Sequence, residues 1–203
     1  MKITFFVFFI ATFSYMMRIT LESPKLDLPL QYIFFVLFLR FGMELKIHLS
    51  SFIAGAGISA YAAIQMGIYH LFNFFDVMHV NVIQQNAGSL VYLLQSSSIL
   101  VAYVICFFLT IFDYGFSFII RPPHDFFTKE NYLSSVNLPY LIGTIISAFT
   151  ICMTLVLLYN SDPTWLLILA ILTFGVSYLF SIRRERGDIR AAVEAYRNKY
   201  KKG

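Results

Sequence analysis

Residues 50–70 read SSFIAGAGISAYAAIQMGIYH, twenty-one positions without one Asp, Glu, Lys or Arg. An α-helix rises 1.5 Å per residue, so about 20 apolar residues cross a hydrocarbon core ~30 Å thick. This stretch is long enough to do so. Its small residues Ser51, Gly55, Ser59, Ala63 and Gly67 recur at every fourth position. On a helix that spacing makes one shallow groove, which lets a second helix approach closely where lipid tails provide no hydrophobic drive for association. The expected fold is therefore all-α, a polytopic transmembrane helix bundle, with this stripe as a helix contact inside it. A homodimer interface on the same stripe is the alternative.

Working outward from this helix, apolar runs at 3–18, 28–44, 50–75, 89–112, 138–160 and 163–182 give six candidate spans. Short polar connections carrying Pro24, Pro29, Pro122, Pro123, Pro139 and Pro163 separate them. The N-terminal run has a lone Lys2 and then apolar residues, as a secretory signal would. Ser14, Tyr15, Met16 and Met17 do not form a small-x-small cleavage site, so it is read as a retained first span. The short connection NSDP (160–163) predicts an antiparallel hairpin of the last two helices.

Composition agrees with a membrane class. Hydrophobic residues make up 59% of the 203 and charged residues 13%, with a mean hydropathy of +0.73; soluble domains carry roughly a quarter charged residues. The formal charge of +4 is local. The tail, 183–203, holds eight of the fifteen Lys and Arg against three acids, which leaves the rest of the chain at −1. Basic clusters directly after a span reflect orientation and anionic headgroups, so nucleic acid is not an expected partner and the lipid bilayer is. With six spans and the tail in the cytoplasm, Lys2, Arg40, Lys46, Arg121, Lys129 and the tail bases lie inside, and only Arg18 and Lys25 outside. That bias favours six spans with both termini in the cytoplasm. The domains expected are a transmembrane unit, 1–182, and a basic tail helix, 183–203.

Polar residues at membrane depth usually face a bundle interior or a cavity. Gln65, His70 and Asn73 on the third span, Gln95 with Ser96, Ser97 and Ser98 on the fourth, and His79, Asn81, Gln84, Gln85 and Asn86 in the loop DVMHVNVIQQNAGS gather at one outer end. Gln65, His70, Asn73, His79, Gln84, Gln85 and Gln95 form the candidate ligand site; interhelical hydrogen bonding is the plainer account of the same residues. No acid or His is placed at a midplane, which argues against ion-coupled transport. Local signatures of phosphate-binding loops, dinucleotide folds, zinc proteases and serine hydrolases are missing. Cys106 and Cys152 sit inside apolar runs as small hydrophobes, away from the loop histidines a cysteine protease would require. No catalytic residue, metal or cofactor is expected. In the tail, Ile189, Val193, Tyr196 and Tyr200 fall on one helical stripe, a face for a cytoplasmic signalling protein or a second copy.

Two stretches carry a family resemblance. LPLQYIFFVLFLRFGMELKIHLSSFIAG (28–55) and FDYGFSFIIRPP (112–123) with TKENY (128–132) resemble the paired spans and inner linker of multi-span sensor domains in GHKL-type sensor histidine kinases of Firmicutes. In that family a basic helix leads from the last span to a dimerising helix and an ATP-binding domain. Here no histidine follows His124, and no Asn or Gly boxes for ATP appear. The resemblance implies a sensor-like membrane module without its own kinase, relaying an outside or intramembrane signal through its tail. A small transport or immunity-type membrane protein is the alternative.

Overall fold

The structure, a computed structural model, describes residues 2–21, 23–78, 82, 85, 87–113, 138–160 and 163–201. All the described secondary structure is helical. In chain order come α1 (Lys2–Tyr15), continued by a π-helical turn at Met16–Thr20, then α2 (Pro24–Leu37), continued by a second at Phe38–Gly42. After them come α3 (Ile47–Phe74), α4 (Ser89–Ile111), α5 (Leu138–Asn160) and α6 (Pro163–Lys201). Asp76 and Asp113, just beyond α3 and α4, and Glu44, beyond the second π turn, take left-handed backbone conformations with φ of 55°, 49° and 58°. A left-handed residue just past a helix end is a common way to turn the chain, and Asp is among the residues that accept it.

Four of these helical segments are long and apolar enough to cross a membrane: Lys2–Thr20, Ile47–Phe74, Ser89–Ile111 and Pro163–Arg183. The candidate second span, 28–44, falls mostly in the helical segment from Pro24 to Gly42, which carries Lys25, Asp27 and Arg40 and is not among the four. The candidate fifth span is α5, 23 residues without one Asp, Glu, Lys or Arg, and it contains the apolar stretch Leu141–Thr154. The inner linker 114–137, Ser161 and Asp162 lie outside the described residues.

The hub is α3, which packs against α2, α4, α5 and α6. Thr144 Oγ1 on α5 donates to the His48 carbonyl near the start of α3 (3.1 Å), so α3 and α5 run in the same direction. Leu49 and Phe52 pack against Phe180, so α6 runs the opposite way. Between α5 and α6 the hydroxyls of Thr150 and Thr173 are 2.7 Å apart and buried. Thr150 is ten residues before Asn160 and Thr173 ten after Pro163, the symmetric register of an antiparallel hairpin. The face of α6 turned inward is Leu166, Ala170, Thr173, Ser177 and Ser181, mostly small and spaced three or four apart.

The period-four stripe on α3 is used over its first half. Gly55 and Ser59 are buried, Ser51 and Ala63 are half-buried, and Gly67 is exposed with open space around it. Gly67 therefore lies on a face of α3 that no neighbour covers, while Met66 and Tyr69 close to it are buried. The closest approach comes elsewhere. A Cβ on Gly143 of α5 would stand 2.6 Å from two ring carbons of Phe52, so only glycine lets α5 reach α3 there.

The hairpin of α1 and α2 is closed by aromatic rings, Phe6 stacked on Phe38 at 4.0 Å and Phe9 and Phe13 edge-on to Phe34. Outside it, Ile3, Phe5, Val7 and Phe8 remain exposed, as do Tyr103, Phe107, Phe108 and Phe112 at the far end of α4. Peripheral helices with bare apolar faces fit a chain whose solvent is lipid.

Candidate functional site

Two polar places stand out from the apolar bundle. The first is the end of α3 and start of α4, where the sequence gathers its candidate ligand residues. Tyr69, 1% exposed, packs with Met78, Val82, Val91 and Leu94, and Ile68 and Phe72 lie against this cluster. Its hydroxyl has no hydrogen-bond partner, and neither has the buried Nε2 of His70, whose ring meets that of Tyr69 edge-on at 5.5 Å. A buried polar atom without a partner costs about 1–3 kcal/mol, which makes both atoms ready to accept one. Of the other predicted residues, Gln65 and Gln95 are half-buried, and Asn73 and Gln85 are exposed. No hydrogen bond links Gln65 to Gln95, so the expected bridge between the third and fourth helices is not made. His79 and Gln84 lie outside the described residues.

An open groove of about 500 Å³ runs along α4, lined by Phe72, Ser89, Tyr92, Leu93, Ser96, Ser97 and Leu100. It contains none of the predicted ligand residues. The serines that were expected to add polarity are largely self-satisfied: Ser97 Oγ donates to the Leu93 carbonyl at 2.7 Å and Ser98 Oγ to that of Leu94 at 2.6 Å. Hydroxyls commonly bond the carbonyl one turn back, and composition does not reveal it.

The second place is one that composition and hydropathy overlook. Asp27, near the start of α2, is 1% exposed. Its Oδ2 accepts from Arg18 Nε at 2.5 Å and from Ser14 Oγ at 2.8 Å, and its Oδ1 from Gln31 Nε2 at 2.7 Å. Gln31 Nε2 also reaches Ser14 Oγ at 3.2 Å. Arg18 sits in the π turn that ends α1, where Leu21 N donates to the Met16 carbonyl five residues back. Such one-turn widenings recur at functional sites because they re-aim a side chain. A readable signal exists. Ser14 and Arg18 are four apart on one helix, Asp27 and Gln31 four apart on the next, and a hairpin turning between them sets the two pairs face to face. Arg18 is also within electrostatic reach of the Tyr61 phenol on α3, fourteen residues beyond Ile47 and so about 21 Å along the helix. The ion pair therefore lies well along the α3 axis.

The exposed part of the tail is visible at Ile189 and Val193, 54% and 60% exposed. The side chains of Tyr196 and Tyr200 lie outside the described set, although the helix continues through both.

No family model, curated protein or solved structure matches this chain.

Proposed function

We propose that the protein is a membrane signal-perception or regulatory module of six spans whose output leaves through α6. One observation carries this reading: α6 is a single helix from Pro163 to Lys201. Its inner part is clamped in the core through Thr173, Ser177 and Ser181, and its outer part presents Ile189 and Val193. A helix without a break transmits rotation and translation along its length, so a change at the bundle reaches the tail undamped. The signal enters at the opposite end, where Tyr69 and His70 offer unpartnered polar atoms beside Gln65, Asn73 and Gln95.

Helix directions and charge support the sidedness proposed. α3 and α5 start where α6 leaves the bundle, and the bases near those ends are Arg40, Lys46 and the tail. Both termini are then cytoplasmic in a bacterial cytoplasmic membrane. The spans α2 and α5 complete the count, α2 crossing with its Asp27 paired to Arg18 at the end of α1.

Chromosomal removal of residues 187–203 tests the output route. The truncated strain is expected to show the transcript profile of the full gene deletion while the protein stays in the membrane at normal abundance. A wild-type profile in that strain, together with solute accumulation in vesicles holding the purified protein, would instead make it a transport component.

A further inference from the structure

Asp27 is fully bonded, through Arg18 Nε, Ser14 and Gln31, yet Arg18 is not. Its side chain is 36% exposed, and its two terminal nitrogens carry no hydrogen bond among the described residues. The carboxylate holds the guanidinium by its inner edge and leaves the outer fork of N–H donors open. Such a fork matches the spacing of two oxygens of a phosphate or carboxylate, and an arginine already oriented loses less freedom on binding. Nearby, the Tyr61 hydroxyl likewise makes no hydrogen bond among the described residues and feels the Arg18 charge. The hairpin tip, Leu21 with Ser23, is three to five residues away.

We infer that Arg18, positioned by Asp27 and within electrostatic reach of Tyr61, is a binding site for an anionic phosphate group at the tip of the α1–α2 hairpin. The phosphate belongs either to an anionic lipid or to a soluble phosphorylated ligand. Both sources present the same oxyanion to the same fork. This site is distinct from the one at the end of α3 and does not depend on the signalling reading.

Full-length protein in nanodiscs decides it, by thermal unfolding and by native mass spectrometry of retained lipid. One arm compares phosphatidylcholine discs with discs containing phosphatidylglycerol; the other titrates inorganic phosphate into phosphatidylcholine discs against chloride at equal ionic strength. Wild type is expected to gain a few degrees in one arm, the scale of a ligand well above its Kd. Arg18→Lys keeps the charge opposite Asp27 but loses the fork, and Tyr61→Phe leaves the ion pair intact; each should lose most of that gain and at least tenfold in apparent affinity. Because the basic tail is the same in all three proteins, its own lipid binding cancels in the differences. A gain only with phosphatidylglycerol assigns a lipid headgroup, and one with inorganic phosphate a soluble ligand. No gain in either arm, or a gain equal in wild type and Tyr61→Phe, overturns the site and leaves the network as a clip between helices. Tyr61→Phe decides alone if Arg18→Lys does not fold.

Discussion

An ionised carboxylate removed from water is tolerated only when donors replace its hydration, and Asp27 has three. Removing Arg18 leaves the Asp27 carboxylate buried without its counter-charge, and removing Asp27 leaves the guanidinium without the group that holds it. Asp27→Ala or Arg18→Ala alone is expected to destabilise the protein by about 3 kcal/mol, whereas the double variant should lose less than the two together. Unfolding in mixed micelles measures the cycle, and strictly additive losses would show that the pair is not coupled. Tyr69 predicts the reverse. Its hydroxyl is buried without a partner, so Tyr69→Phe should leave stability unchanged or raise it by up to about 1 kcal/mol, while weakening any response to an outside signal. A loss of stability by the same unfolding assay would mean that the hydroxyl is bonded. Asp27 escaped a reading by hydropathy because one acid between Pro24 and Pro29, beside Lys25, looks like a connection between spans. Only the matching spacings 14/18 and 27/31 reveal its partners, and those spacings matter once a hairpin is assumed.

At the level of elements, helices that meet in lipid depend on close backbone approach more than on apolar area. On the period-four stripe of α3, Gly55 and Ser59 are buried and Gly67 is exposed, so the periodicity extends further than the burial. Where a neighbouring helix ends or diverges is decided by the other helix, and one sequence window cannot show it. The tightest contact, Gly143 against Phe52, has no repeat to announce it. Gly143→Ala should therefore cost about 1–3 kcal/mol by forcing Phe52 aside, and Phe52→Leu should recover part of the loss. Gly67→Ala, in open space, should be neutral or stabilising by up to about 1 kcal/mol. Thermal unfolding of the three variants in one detergent checks all of this, and equal losses at positions 67 and 143 would contradict the packing described. The antiparallel pairing of α5 and α6 was legible from the short NSDP connection; the Thr150–Thr173 contact that marks its register was not, because Thr is frequent on membrane helices for many reasons.

For the whole molecule, the apolar class and helical content were plain in composition, and the number of crossing helices was not. Four helical segments are long and apolar enough to cross, and the segment from Pro24 to Gly42, with Lys25, Asp27 and Arg40, is not among them. The bundle gives a reason for α6 to be long. Its inner face is fixed by α3 and α5, so the azimuth of the tail is set by the core, and any face it shows a partner has a defined direction. Inserting one, two, three or four alanines after Arg186 turns everything beyond by about 100° per residue. The direct test of the relay is to measure, across this series, the transcripts that separate the wild-type strain from the deletion strain. Output should fall for one and two insertions and return toward normal at four, where the net rotation is only about 40°; the same output at every insertion length would contradict a signal carried by the orientation of α6.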